Sequence, residues 1–155
     1  YLETTAFVDH DAAPIQDFLK RLPASTGMAR IQRINQAVHG ALRYTLATAP
    51  LTASEILKGG RGDCTEYARL FSAVARAAGF PTREVSGMAY AGDSDPGFAF
   101  HAWAEVYVDG RWIPVDPTWN QVPPDATHIT LSRDDPAAIV GVLGGLNAKV
   151  LNIQR

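Results

Sequence analysis

The chain has 155 residues, of which 46% are hydrophobic and 19% charged, with a net charge of −2 at pH 7. That is the size of a single domain, apolar enough to bury a core, and it has none of the clustered positive charge that marks a nucleic-acid binder. The longest uncharged run, Pro136 to Ala148, carries three glycines and falls short of the ~20 residues that cross a bilayer, so neither a nucleic-acid partner nor membrane insertion is expected.

The chain opens at Tyr1 with no initiator methionine and no apolar leader, which reads as a piece processed or excised from something longer. The first half is helical in pattern. Ile15, Phe18, Leu19 and Leu22 recur at helical spacing until Pro23, and Met28, Ile31, Ile34, Val38 and Leu42 form a second stripe behind a Thr26 cap. Thr52 and Glu55 have capping-box spacing before a short helix that ends at Gly59-Gly60. Asp63 and Glu66 repeat that spacing and open a third stripe of Tyr67, Leu70, Phe71, Val74 and Ala78, closed by Gly79 and Pro81.

The second half reads as strands. Thr82 to Tyr90 is one, and residues 91–97 are a turn-rich loop. Phe100 to Val108 and Arg111 to Val115 flank Asp109-Gly110, a strong hairpin turn signal. Asn120 to Asp125 looks irregular, and Thr127 to Leu131 is one more strand. Helices first and an antiparallel hairpin later give an α+β class, with N-terminal helices packed on an antiparallel sheet. A single domain over 1–155 is expected.

Cys64, the only cysteine, excludes an internal disulfide and Cys-rich zinc modules. With Asp63 as cap it is the first residue of a helix, where unpaired N–H groups and the helix dipole lower a thiol pKa and can hold an oxyanion. The alternative is an inert cysteine packed like a small apolar residue.

The hairpin supplies a second and third candidate. With Asp109-Gly110 as the turn, Tyr107 faces Trp112 and Trp103 faces Asp116. His101 shares the face of Trp103, so Asp116 is its diagonal neighbour at roughly 7–8 Å between backbones. Pro114 falls opposite Glu105 at a non-hydrogen-bonded position, where its missing N–H is tolerated. Glu105 lies on the same face but roughly 13 Å from His101, leaving Asp116 as the acid of this hairpin that can orient the imidazole. A Cys–His pair with a third group holding the His tautomer is the logic of nucleophilic acyl transfer.

G-D-C-T-E-Y-A at 62–68, R-A-A-G-F-P-T-R at 76–83, H-A-W-A-E-V at 101–106 and G-R-W-I-P-V-D-P-T at 110–118 together resemble the transglutaminase-like superfamily, its bacterial members most. The resemblance covers roughly residues 30–131. It implies a papain-like fold in which a Cys-bearing helix packs on an antiparallel sheet, with Cys64 as nucleophile, His101 as general base and Asp116 as orienting acid. It also implies a peptide or protein substrate and no cofactor, and its exported bacterial members point to the periplasm or outside. Protein-crosslinking members carry a tryptophan upstream of the cysteine and calcium-binding segments. This chain has no tryptophan before Trp103, so hydrolysis by a cysteine peptidase or amidase is expected. Amine transfer and a binding module without turnover remain as alternatives.

Other features have ordinary readings. Arg61-Gly62-Asp63 spells an adhesion tripeptide, which the helix entry already accounts for. The glycines at 59, 60 and 62 lack the Lys-Ser/Thr of a phosphate-binding loop. Cys64, His101 and Asp116 have no metal-ligand spacing, so no metal is expected. Of the aromatic residues, Tyr107 and Trp112 are expected to pack across the hairpin, and Trp119 is a candidate for the groove. Trp103 is expected to shield the His–Asp bond, with Asp63 and Tyr44 supporting the site. His39 is expected at the surface or packed. His128 is a rival base that finds no matching acid in a hairpin, so it ranks below His101.

Overall fold

The computed structural model describes residues 1–46, 50–92 and 97–133. Part of the expected loop at 91–97 and all of the uncharged run at 136–148 lie outside them. The elements are α1 (Ala13–Lys20), α2 (Gly27–Ala41), β1 (Arg43–Tyr44), α3 (Ala53–Gly59), β2 (Arg61–Gly62), α4 (Cys64–Ala77), β3 (Thr82–Tyr90), β4 (Phe98–Val108), β5 (Arg111–Val115) and β6 (Ile129–Arg133). Helices and an antiparallel sheet make the α+β class the sequence pattern implies.

Helix starts follow local chemistry. Thr52 accepts from the Glu55 N–H while Glu55 reaches back to the Thr52 N–H, and Gly60 closes α3 in the left-handed region at φ 62°. Thr26 precedes α2 with extended backbone, but its side chain makes no capping bond. Helix α4 is the centre of the molecule. Every residue from Glu66 to Arg76 is buried, with α1, α2 and α3 packed on it from one side and β3 and β4 from the other. Ile15, Ile31, Ile34, Val38, Ile56, Leu70, Phe71, Val74, Ala104, Val106 and Val115 share this core.

The sheet has the order β5-β4-β3-β6, all antiparallel. The hairpin register is the expected one, with Val108 opposite Arg111, Tyr107 opposite Trp112 and Glu105 opposite Pro114. Asp109 and Gly110 take the positive φ values, 52° and 80°, that a two-residue hairpin turn needs. Side chains alternate along β4: Ala104, Val106 and Val108 join the helical core, which leaves His101, Trp103, Glu105 and Tyr107 on the outer face.

Two features lie beyond local patterning. Strands β1 and β2 form a two-residue parallel pair that lays Tyr44 beside Gly62, two residues before Cys64. Strand β6 pairs with β3 on the edge away from the hairpin, two residues later in the chain than expected. Its register shifts between Ser86 and Gly87, where the chain comes very close: a Cβ on Gly87 would sit 2.0 Å from the Ile129 carbonyl oxygen and 2.6 Å from the Trp103 indole. Only glycine fits there.

Candidate active site

The entry to α4 is built from its own polar groups. Asp63 accepts from the Thr65 N–H at 3.0 Å, and its own N–H donates to Glu66 at 2.9 Å. The same Glu66 side chain leaves no room for a Cβ on Gly62, which would lie 2.3 Å from Glu66 Cβ. Asp63 therefore caps the helix, a contribution of about 1 kcal/mol, and Cys64 becomes its first residue as expected.

The thiol's chemistry is not as expected. Cys64 is 8% exposed, and burial pushes its thiol up to about 11. The Ala102 backbone N–H, donating to Sγ, works the other way, while the charges of Asp63 and Asp116 add to the rise. The helix terminus was expected to lower this pKa; desolvation and two neighbouring carboxylates outweigh it.

His101 Nε2 meets Asp116 Oδ2 at 2.8 Å. Asp116, fully buried, sits one residue past β5, where its backbone bridges Gln121 in both directions at 2.9 Å. The chain turning back through 117–121 points the Thr118 and Trp119 N–H groups at Oδ1, at 2.8 and 3.2 Å. Helix α2 steadies that turn: Asn35 donates to Asn120 at 2.9 Å, and His39 Nδ1 meets the Pro117 carbonyl at 3.1 Å. Burial alone would raise the Asp116 carboxyl, but hydrogen bonds from His101 and His128 overcome it and hold it at about 2.

His128 is the residue sequence reasoning placed too low. Its side chain is 4% exposed, with Nε2 at 3.1 Å from Asp116 Oδ2 and Nδ1 at 3.3 Å from Asp125. Its acid does not come from a hairpin of its own: the β3–β6 pairing carries His128 to the acid at the end of the β4–β5 hairpin. No local signal in the sequence encodes that pairing.

Aromatic rings enclose the imidazoles. Trp119 lies flat on His101, with ring centres 4.3 Å apart and planes 12° off parallel, and is itself 40% exposed. Trp103, 1% exposed, stacks more distantly on His101 and meets His128 edge-on at 5.2 Å. Trp103 thus lies beside both imidazoles. Trp119, expected only to line a groove, makes the closer contact.

Cys64 and His101 open onto one small cavity of about 180 Å³, also lined by Tyr44, Phe100, Thr118 and Trp119. Tyr44 is 56% exposed, so it borders the site from outside the core. A larger cavity of about 620 Å³, between the N-terminal segment and α4, contains none of these residues. Volume alone is a poor guide to chemistry here.

His101, Asp116 and His128 also place one ligand-type atom each within 4.8 Å of the others, a set that leaves out Cys64. Asp116 is ionised, and an ionised carboxylate only accepts. With both Nε2 atoms facing the same Oδ2, each donates to it. The cluster is a hydrogen-bonded unit.

Residues 16–117 match the model of the transglutaminase-like superfamily. Human kyphoscoliosis peptidase is 31% identical over 116 residues, covering 68% of this chain and 17% of that protein. A protein-glutamine gamma-glutamyltransferase from Pseudomonas aeruginosa is 34% identical over 114 residues, covering 65% and 16%. The chain thus spans under a fifth of the length of either relative. Among solved structures, a candidate cysteine protease from Cytophaga hutchinsonii superposes with a TM-score of 0.72 at 21% identity, covering 85% of this chain and 45% of that one, which is a likeness of fold. Since the matched stretch runs from α1 to just past Asp116 and takes in Cys64 and His101 on the way, the chain belongs to the transglutaminase-like superfamily.

Proposed function

We propose that this domain performs thiol-dependent acyl transfer on peptide or protein amide bonds, with Cys64 as nucleophile, His101 as general base and then acid, and Asp116 as the group that orients His101. The observation that carries the reading is that Cys64 and His101 line one cavity while Asp116 occupies Nε2 of the imidazole. That bond fixes the neutral tautomer with hydrogen on Nε2, which leaves the Nδ1 lone pair for the thiol proton.

A thiol held at about 11 is protonated at rest, so attack needs the base. His101 takes the proton as Sγ adds to the amide carbonyl carbon. The oxyanion that forms is held by the Cys64 backbone N–H. The Asp63 side chain already accepts from the next two N–H groups of the helix, and the Cys64 N–H has no protein acceptor among the described residues. Collapse of the intermediate expels the amine, which receives the proton from His101 and leaves a thioester on Cys64. Water then releases the acid.

Hydrolysis is the favoured outcome because Tyr44 and Trp119, both substantially exposed, leave the cavity mouth open to water. Amine transfer is the second reading, favoured by the name of the Pseudomonas relative. We extend the reading to one domain acting in a periplasmic or secreted setting. No helix among the described residues is long and apolar enough to cross a membrane.

The test is intact-mass spectrometry with an activated acyl peptide and a labelled primary amine. The wild type should gain one acyl group and release mainly free acid, whereas Cys64→Ala should gain none and stay folded. An acyl adduct on Cys64→Ala would overturn the nucleophile, and amide outweighing acid would overturn hydrolysis.

A further inference from the structure

Asp116 is held in place before either histidine touches it, since Oδ1 already accepts two backbone N–H groups. A second imidazole is not needed to position it. Yet His128 aims Nε2 at Asp116 and Nδ1 at Asp125, so each ring nitrogen faces a carboxylate oxygen. A neutral imidazole has one N–H and one lone pair and would turn that lone pair toward an anion. Only the imidazolium donates to both.

We propose that His128 is a resident cation of the site, a positioning residue that shares Asp116 with His101 and so keeps His101 available as a base. This rests on the reading of His101 as general base. The charged or titratable groups facing His128 are Asp116 at the end of β5, His101 on β4 with its ring centre 5.7 Å away, and Asp125 on the preceding turn. Trp103 and Trp119 form the rest of the wall and carry no charge. Burial works against a proton on His128, but Asp116 and Asp125 outweigh it and raise its pKa.

The arrangement has a chemical use. A buried carboxylate facing a single histidine favours the imidazolium, and a protonated His101 cannot take the Cys64 proton. A fixed positive charge on the same oxygen offsets that carboxylate. Two imidazolium ions this close also disfavour each other, and the ring that lies between two anions is the one better placed to keep its proton.

The experiment follows the Cε1–H signals of His101 and His128 against pH by NMR in the wild type, His128→Gln and Asp125→Asn, with assignment by substitution. In the wild type, the His128 midpoint should lie above the ordinary imidazole value of about 6.5. In His128→Gln the His101 midpoint should rise by about one pH unit. In Asp125→Asn, a change at a half-exposed carboxylate, the His128 midpoint should fall. A wild-type His128 midpoint at or below the ordinary value of about 6.5, or a His101 midpoint that stays or falls in His128→Gln, would overturn the proposal. Should His128→Gln not fold, Asp125→Asn decides: an unmoved His128 midpoint refutes it. These signals need no turnover, so failure of Cys64 to acylate is a separate result.

Discussion

Two buried acids occupy the outer face of the β4–β5 hairpin, and they are held by opposite kinds of partner. Glu105 is gripped by Arg83 at 2.6 Å and by Arg133 at 3.0 Å, and the Arg83 guanidinium lies 4.2 Å over the Trp112 ring. Asp116 is gripped by two imidazoles. Guanidinium never gives up its proton in a protein, so the Glu105 end is a clamp with one charge state. Imidazole exchanges its proton near neutral pH, so the Asp116 end can do chemistry. Both carboxyls are lowered against the pull of burial. The partner, more than the depth of burial, separates an ion pair with one charge state from one whose partner can exchange a proton.

Substitution at the two acids breaks the comparison most sharply. Asp116→Asn should cut the rate of acyl transfer by up to about 10⁴-fold, since the amide can no longer hold the productive tautomer or stabilise the charged imidazole. Glu105→Gln should leave the rate per folded molecule within a few-fold. It should instead lower unfolding free energy by about 2 kcal/mol, because the half-buried Arg83 loses its charged hydrogen-bond partner. Rates and urea midpoints measured on both variants give the answer; equal rate losses would mean that the two ends are not distinct.

Acid titration sharpens it further. The Asp116 carboxyl lies at about 2 in the fold against about 3.9 when unfolded, so its stabilisation is complete above the unfolded value and is lost as pH falls through 4 toward 2, a change of about 2 kcal/mol. Glu105 shifts the same way. His128, raised in the fold, contributes with the opposite sign: its share is complete below about 6.5 and fades as pH rises through the raised value. Urea unfolding in Asp116→Asn should therefore show a shallower acid limb than the wild type, and His128→Gln a shallower alkaline one.

Gly87→Ala tests the neighbouring edge and should cost about 2 kcal/mol of stability or more. The added methyl must displace the Ile129 backbone or the Trp103 ring, and either shift loosens the β6 edge that delivers His128. A melting temperature equal to that of the wild type would show that β6 is not pressed against β3 there.

What was legible in the sequence was local. Both capping boxes, the Asp109-Gly110 turn and the register that puts Asp116 beside His101 follow from residues a few positions apart. What was not legible depends on distant chain. Helical patterning marks where α4 begins but not that β3, β4 and three helices enclose it, and that enclosure reverses the expected lowering of the Cys64 thiol. The β3–β6 edge is likewise invisible in the turn residues at 120–127, so the second histidine on Asp116 went unrecognised. Trp119 follows the same rule. Its ring reaches His101 only because Asp116 and Gln121 close a bridge beneath it.

Helix α4 has a consequence for how the site breathes. Its residues from Glu66 to Arg76 are buried without a break, so no partial opening frees their amides. Their hydrogens should exchange with solvent only when the whole domain comes apart, at the slowest rate in the molecule. Cys64 is bolted to the end of that element. Mild heat or denaturant should therefore empty the population of folded molecules without first blurring the position of the sulfur, and acylation of Cys64 by substrate should be lost in a single step with the fold.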